Sequence, residues 1–136
     1  MMKFPWRSDK AAAAGRGYES ECLVESRAMP GVKYCIRKIS FERRMELMRR
    51  IRDLARRAEF LAASLDTSDK MDAALALAEI DRVYVLWGVE SIQGLRVNGR
   101  DADADLLAAE GPEELFRELL GAVRRATGLD AEERKN

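Results

Sequence analysis

Chemistry at neutral pH draws on a few side-chain types, and this chain lacks the most versatile of them. None of its 136 residues is histidine. That removes the usual general base, the Ser-His and Cys-His nucleophile pairs, and imidazole metal ligands. Two cysteines, Cys22 and Cys35, occur without a CxxC pair and cannot assemble a structural zinc site within one chain. Gly94-Leu95-Arg96-Val97-Asn98-Gly99 has two glycines but no following Lys-Ser or Lys-Thr to hold phosphate and magnesium. Asp101, Asp103 and Asp105 copy the spacing of the first ligands of a calcium loop. Leu106 then stands where that loop needs glycine, and Pro112 where it needs glutamate. These acids therefore read as a helix N-terminus facing solvent, and Glu113-Glu114 as charges favoured by a helix dipole. No catalytic residue, metal site or cofactor is expected. The chain is read as a non-enzyme that works by offering surface to another macromolecule.

Two groups of residues are candidates for that surface. Arg43, Arg44, Arg49, Arg50, Arg52, Arg56 and Arg57 fall within fifteen residues. Arg43, Arg50 and Arg57 are seven apart and share one helix face, with Arg49 and Arg56 beside them. They suit a phosphate-contacting stripe for nucleic acid. The alternative is a solvated face paired with Glu46, Asp53, Glu59 and the acidic C-terminal half. That alternative is preferred, because few aromatics interleave and the chain is not basic overall. The second group is apolar: Phe41, Met45 and Met48 on the same segment, and Tyr84 and Trp87 three apart further on. Flexible methionines and aromatic anchors suit a protein partner. Trp87 is expected to be core with an interface at its rim.

The elements that must position these residues follow from spacing. Residues 1 to about 20 read as a loose tail, with Phe4 and Trp6 as stray aromatics. Glu21–Arg27 and Val32–Ile39 read as strands around a Met29-Pro30-Gly31 turn, with Tyr34, Ile36 and Lys38 on one face and Lys33, Cys35, Arg37 and Ile39 on the other. Ser40 is an N-cap for a long helix, Phe41 to Ser64, whose seam runs Leu47, Ile51, Leu54, Ala58, Leu61 and Leu65. Phe41, Met45, Met48 and Ala55 widen its apolar stripe. Asp66 to Asp69 breaks that helix and caps a second, from about Lys70 to Trp87, with Met71, Ala74, Leu75, Ala78, Val83, Leu86 and Trp87 on its apolar side. Two such helices joined by a short polar loop should form an antiparallel hairpin. Ser91–Val97 reads as a third strand before an Asn98-Gly99 turn. A short helix over Asp101–Ala109 is expected, then one with Pro112 at its first position and Leu115, Phe116, Leu119, Leu120 and Val123 buried. The fold class is α+β, predominantly helical: a short hairpin of strands, a long helical hairpin and a C-terminal helix, in one domain over residues 21–136.

Composition agrees with a protein built of exposed helices. Hydrophobic residues are 47% and charged residues 35%, against about a quarter charged in typical soluble domains. The net charge of zero conceals a dipole. Residues 1–64 hold 15 basic and 8 acidic groups, a balance of +7, and residues 65–136 hold 9 and 16, a balance of −7. Such asymmetry favours self-association or a charged partner. The N-terminus has no apolar run suited to a signal peptide, and no stretch nears the ~20 apolar residues of a membrane span. Both cysteines are therefore expected to be reduced, buried and cytoplasmic.

The run Asp81-Arg82-Val83-Tyr84-Val85-Leu86-Trp87-Gly88-Val89-Glu90-Ser91-Ile92-Gln93-Gly94-Leu95-Arg96-Val97-Asn98-Gly99, with Gly111-Pro112-Glu113-Glu114-Leu115-Phe116-Arg117-Glu118-Leu119 and the ending Gly128-Leu129-Asp130-Ala131-Glu132-Glu133-Arg134-Lys135-Asn136, resembles the small tail assembly chaperone-like proteins of tailed bacteriophages and prophages. The resemblance spans roughly residues 32–136 and rests on Tyr-x-x-Trp-Gly, Gly-Leu-x-x-x-Gly and Gly-Pro-Glu-x-Leu. It implies a helper absent from the finished particle, working in the bacterial host cytoplasm. Such a helper coats the tape measure protein, and meets the tail tube protein, while tube subunits polymerise. It implies self-association and no catalytic residues, with Phe41, Met45 and Met48 offering the client surface. Two other expectations stay open: a nucleic-acid-binding or regulatory protein using the arginine helix, and a structural head–tail connector or tail completion subunit.

Overall fold

The computed structural model describes residues 23–128. The expected tail, with Phe4 and Trp6, and Cys22 lie outside the described residues, as does the polar ending from Leu129. The architecture is α+β and mainly helical. Its elements in order are β1 Leu23–Glu25, β2 Lys33–Ile36, α1 Phe41–Ala62, α2 Thr67–Gly88, β3 Val89–Gln93, β4 Arg96–Val97, β5 Arg100–Asp101, α3 Ala104–Glu110 and α4 Glu113–Thr127.

β1, β2 and β3 form one antiparallel sheet with β2 in the middle. The pairing sets Val24 opposite Tyr34, and Tyr34 opposite Ile92. The expected alternation of β2 does not hold. Tyr34 and Cys35 are both buried, and the register shifts between Cys35 and Ile36, so the strand turns neighbouring residues inward. The single third strand is also corrected, because it is two strands broken at Gly94. Gly94 takes φ +84, and a side chain there would meet the Gly31 carbonyl oxygen at 2.5 Å. Only glycine suits that turn. Asn98 and Gly99, at φ 52 and 78, then make the tight turn between β4 and β5.

α1 starts where expected: the Ser40 hydroxyl accepts a hydrogen bond from the Arg43 amide. It packs along α2 as the helical hairpin. Leu47, Ile51 and Leu54 join the main core, while Ala58, Ala73 and Ala76 close the far half with small side chains. Leu65, expected to end the seam, is instead 94% exposed. The helix has already stopped at Ala62, and Asp66 caps α2 by accepting from the Ser68 amide. At the near end α2 supplies Ile80, Tyr84, Val85 and Trp87 to the core, against Val32, Tyr34, Leu107 and the α4 residues Leu115, Leu119, Leu120 and Val123. Phe116 is only partly buried. At Gly88 α2 and α4 approach closely, since a side chain there would strike Val123 at 2.5 Å. Pro112 is the N-cap of α4 and not its first helical residue.

Polar ties lock this near end. The Asp81 carboxylate meets Arg124 at 2.8 Å and Arg117 at 3.5 Å, and the Arg124 guanidinium lies 4.8 Å from the centre of the Tyr84 ring. The Arg44 guanidinium donates to the Thr127 carbonyl, pinning the start of α1 to the end of α4. On α4, the Glu118 carboxylate accepts from the Ser26 hydroxyl, the Arg27 and Ala28 amides and the Tyr34 hydroxyl. One carboxylate thus fastens the β1–β2 turn to the helix. Burial on its own would raise the Glu118 pKa, but these four hydrogen bonds outweigh it and hold the carboxyl below its usual range. Burial, then the Glu118 charge and the bond to it, push the Tyr34 phenol up.

Candidate protein-binding surface

The expected partner-binding residues separate into two groups. Phe41 is 71% exposed and Met48 43%, while Met45 is partly covered. These three sit on α1 as a surface. Tyr84 and Trp87 do not: they are 3% and 7% exposed and belong to the core. Trp87 as core agrees with its sequence reading, but neither ring can anchor a partner without unpacking the fold. The sheet and α4 cover this end of α2, which the two aromatic positions alone did not reveal.

Further apolar side chains are exposed toward the far end of the hairpin, on separate faces of α1 and α2. Phe60 is 78% exposed, Met71 64%, Leu75 67% and Leu77 56%. Met71, Ala74, Leu75 and Ala78 are all exposed and follow the i, i+3, i+4, i+7 rule of one helix face. At ~100° per residue, Met71, Leu75 and Ala78 lie about half a turn round α2 from Ala73, Ala76 and Ile80, which are buried. The stripe therefore points away from α1. Nearer the core the same side of α2 carries Asp81, Val85 and Gly88, and α4 covers it there. Among the described residues nothing covers it further up.

The arginine helix is as exposed as its spacing suggests. Arg43, Arg49, Arg50, Arg56 and Arg57 are all on the surface. The expected pairing is only partly realised. Arg50 meets Glu46 at 2.9 Å and Arg52 meets Asp53 at 3.5 Å. Among the described residues Arg43, Arg49, Arg56 and Arg57 have no ion pair, and no α1 arginine reaches a carboxylate of the C-terminal half. The acid triplet stays apart. Asp101 pairs with Arg96 on the small hairpin, and Asp103 caps α3 by accepting from the Leu106 amide at 2.9 Å. Glu113 and Glu114 occupy the first turn of α4. Among the described residues no three acidic or sulfur side chains cluster as metal ligands, and no helix is long and apolar enough to cross a membrane.

Comparison with known proteins finds no matching family model, no matching curated protein and no matching solved structure.

Proposed function

We propose that this protein is a tail assembly chaperone that binds the tape measure protein and keeps it soluble while the tail tube polymerises. The reading rests on the resemblance carried by Asp81 to Gly99, Gly111 to Leu119 and the ending from Gly128 to Asn136. The observation that carries it is the bare stripe Met71, Ala74, Leu75 and Ala78 in the far half of the hairpin. A tape measure exposes amphipathic helix over a great length before the tube closes round it. Its partner needs an apolar, adaptable helix face that survives in water without collapsing the fold. Here the core at one end is complete, so the other end is available for a client, with Phe41 and Met48 as further contacts on α1. Contact with the tail tube protein and self-association belong to the same proposal, as does action in the bacterial host cytoplasm without membrane or cofactor.

The test is a pull-down of purified tape measure fragments at low and high salt. Apolar capture persists as salt rises, and mass spectrometry of finished particles finds the chain missing. The chain's presence in those particles would favour a head–tail connector or tail completion role.

One observation favours a second reading, a nucleic-acid-binding role. Arg43, Arg49, Arg56 and Arg57 are exposed without ion pairs among the described residues. In that reading binding to duplex DNA falls steeply with salt, and Arg50→Glu with Arg57→Glu abolishes it.

A further inference from the structure

Between β1, the β1–β2 turn and α4 lies a half-open cleft of about 400 Å³, the size of a small-ligand or side-chain pocket. Tyr34 and Glu118 line it, with Val24 as an apolar wall and Arg27, Arg117 and Arg125 around it. The charges in it are not equivalent. Glu118 is consumed by its four donors, and Glu25 accepts from the Gly31 amide at 3.2 Å. Arg117 is engaged by Asp81 and Glu113. Arg27 and Arg125 have no ion-pair partner among the described residues, and both are close enough to Tyr34 for their charge to be felt at its hydroxyl. So the two acids are already used, and two guanidinium groups face the opening.

Gly121 explains how Arg125 comes to be there. A glycine inside a helix costs ~1 kcal/mol relative to alanine. At this position the absent side chain lets the Arg125 guanidinium fold back along α4, within 3.3 Å of where a Cβ would stand.

The neighbouring strand supplies the second element. β1 is an edge of the sheet, and among the described residues nothing pairs with its outer side. Val24 is the register partner of Tyr34, so both side chains lie on the α4 side of the sheet. A strand added to β1 would sit ~4.8 Å further out. Its residue opposite Val24 would point the same way, into the opening between Arg27 and Arg125. Leu23 and Val24, 50% and 40% exposed, would be covered by it.

We infer that this cleft is a second binding site, which takes an extended acidic peptide as an added strand on β1 with one carboxylate held between Arg27 and Arg125. Backbone pairing supplies affinity and the guanidinium–carboxylate contact supplies selection. The site is separate from the hairpin stripe and does not depend on the client reading.

The experiment is fluorescence anisotropy of the full chain with a labelled, end-blocked Thr-Val-Glu-Val-Thr peptide, its Gln counterpart and inorganic phosphate as competitor. The Glu peptide binds, and the Gln peptide binds at least tenfold more weakly. Arg27→Gln and Arg125→Gln each weaken the Glu peptide about tenfold, or ~1.4 kcal/mol, while keeping the wild-type circular dichroism melt. Met71→Glu with Leu75→Glu leaves peptide binding unchanged. Equal binding of the Glu and Gln peptides, or indifference to both arginine changes, overturns the inference. So does phosphate binding that needs these arginines while neither peptide binds, since the cleft would then serve a small oxyanion.

Discussion

Glu118 shows how a single side chain can organise a fold without leaving a trace in the local sequence. Its donors are 84 to 92 residues away along the chain, so no spacing rule could assign it anything but a place on an amphipathic helix. Its neighbours were legible, because Leu115, Leu119 and Val123 mark the buried side, and Glu118 lies at the edge of that side. Replacing it tests the clamp. Glu118→Gln keeps the shape but turns an amide toward groups that donate. For a partly exposed site the cost is about 1–2 kcal/mol, read as a fall of several degrees in thermal denaturation. The pH dependence has a definite sign. The folded carboxyl is held below its ordinary value of 4.5, so its contribution is complete above that pH and is lost as pH falls through the folded value. Melts across the acid range should therefore show the difference between wild type and Glu118→Gln shrinking below about pH 4.5. A constant gap would mean that the charge is not what matters. Tyr34→Phe removes one of the four donors and should cost less, ~1 kcal/mol.

At the scale of elements, regular periodicity was the legible part. The Leu47–Leu61 seam, the Ser40 cap, the Asn98-Gly99 turn and, apart from the partly buried Phe116, the buried positions of α4 are where the residues place them. What spacing could not decide was where a pattern stops. Leu65 continues the seam in register, yet Asp66 caps the next helix and leaves Leu65 in the connection. Ser91–Val97 alternates like one strand, yet Gly94 must pass the Gly31 backbone and bends it into two. Along α2 the composition is apolar on several sides. Which half of a side is covered depends on how far α4 reaches, and no local window contains that information. For this reason spacing identifies Trp87 as core but does not show that Tyr84 is as deeply covered, or that Phe60 and Leu77 are left exposed. Gly94→Ala measures the bend directly. A left-handed φ and a 2.5 Å approach to a carbonyl oxygen should together cost ~2–3 kcal/mol, seen as a lower urea midpoint. Gly99→Ala, whose position has a similar φ but open space, should cost less.

The whole molecule is two-ended. One end is a closed core in which sheet, α2, α3 and α4 meet. The other is a helical pair whose buried residues are the small Ala58, Ala73 and Ala76, with its outer apolar side chains in water. Each helix of 22 residues is roughly 33 Å long, so the hairpin is a long rod. Because Met71 and Leu75 contribute little to the core, Met71→Glu with Leu75→Glu should leave the melting temperature close to wild type, a change within ~0.5 kcal/mol. That separates folding from binding. The most direct measurement is sedimentation of a tape measure protein co-expressed with this chain. With the wild-type chain the tape measure should stay in the supernatant, and with the folded Met71→Glu, Leu75→Glu variant it should move to the pellet at low and high salt alike. A variant that keeps the tape measure soluble as well as the wild type does, or a wild-type chain that never protects it, would contradict the account.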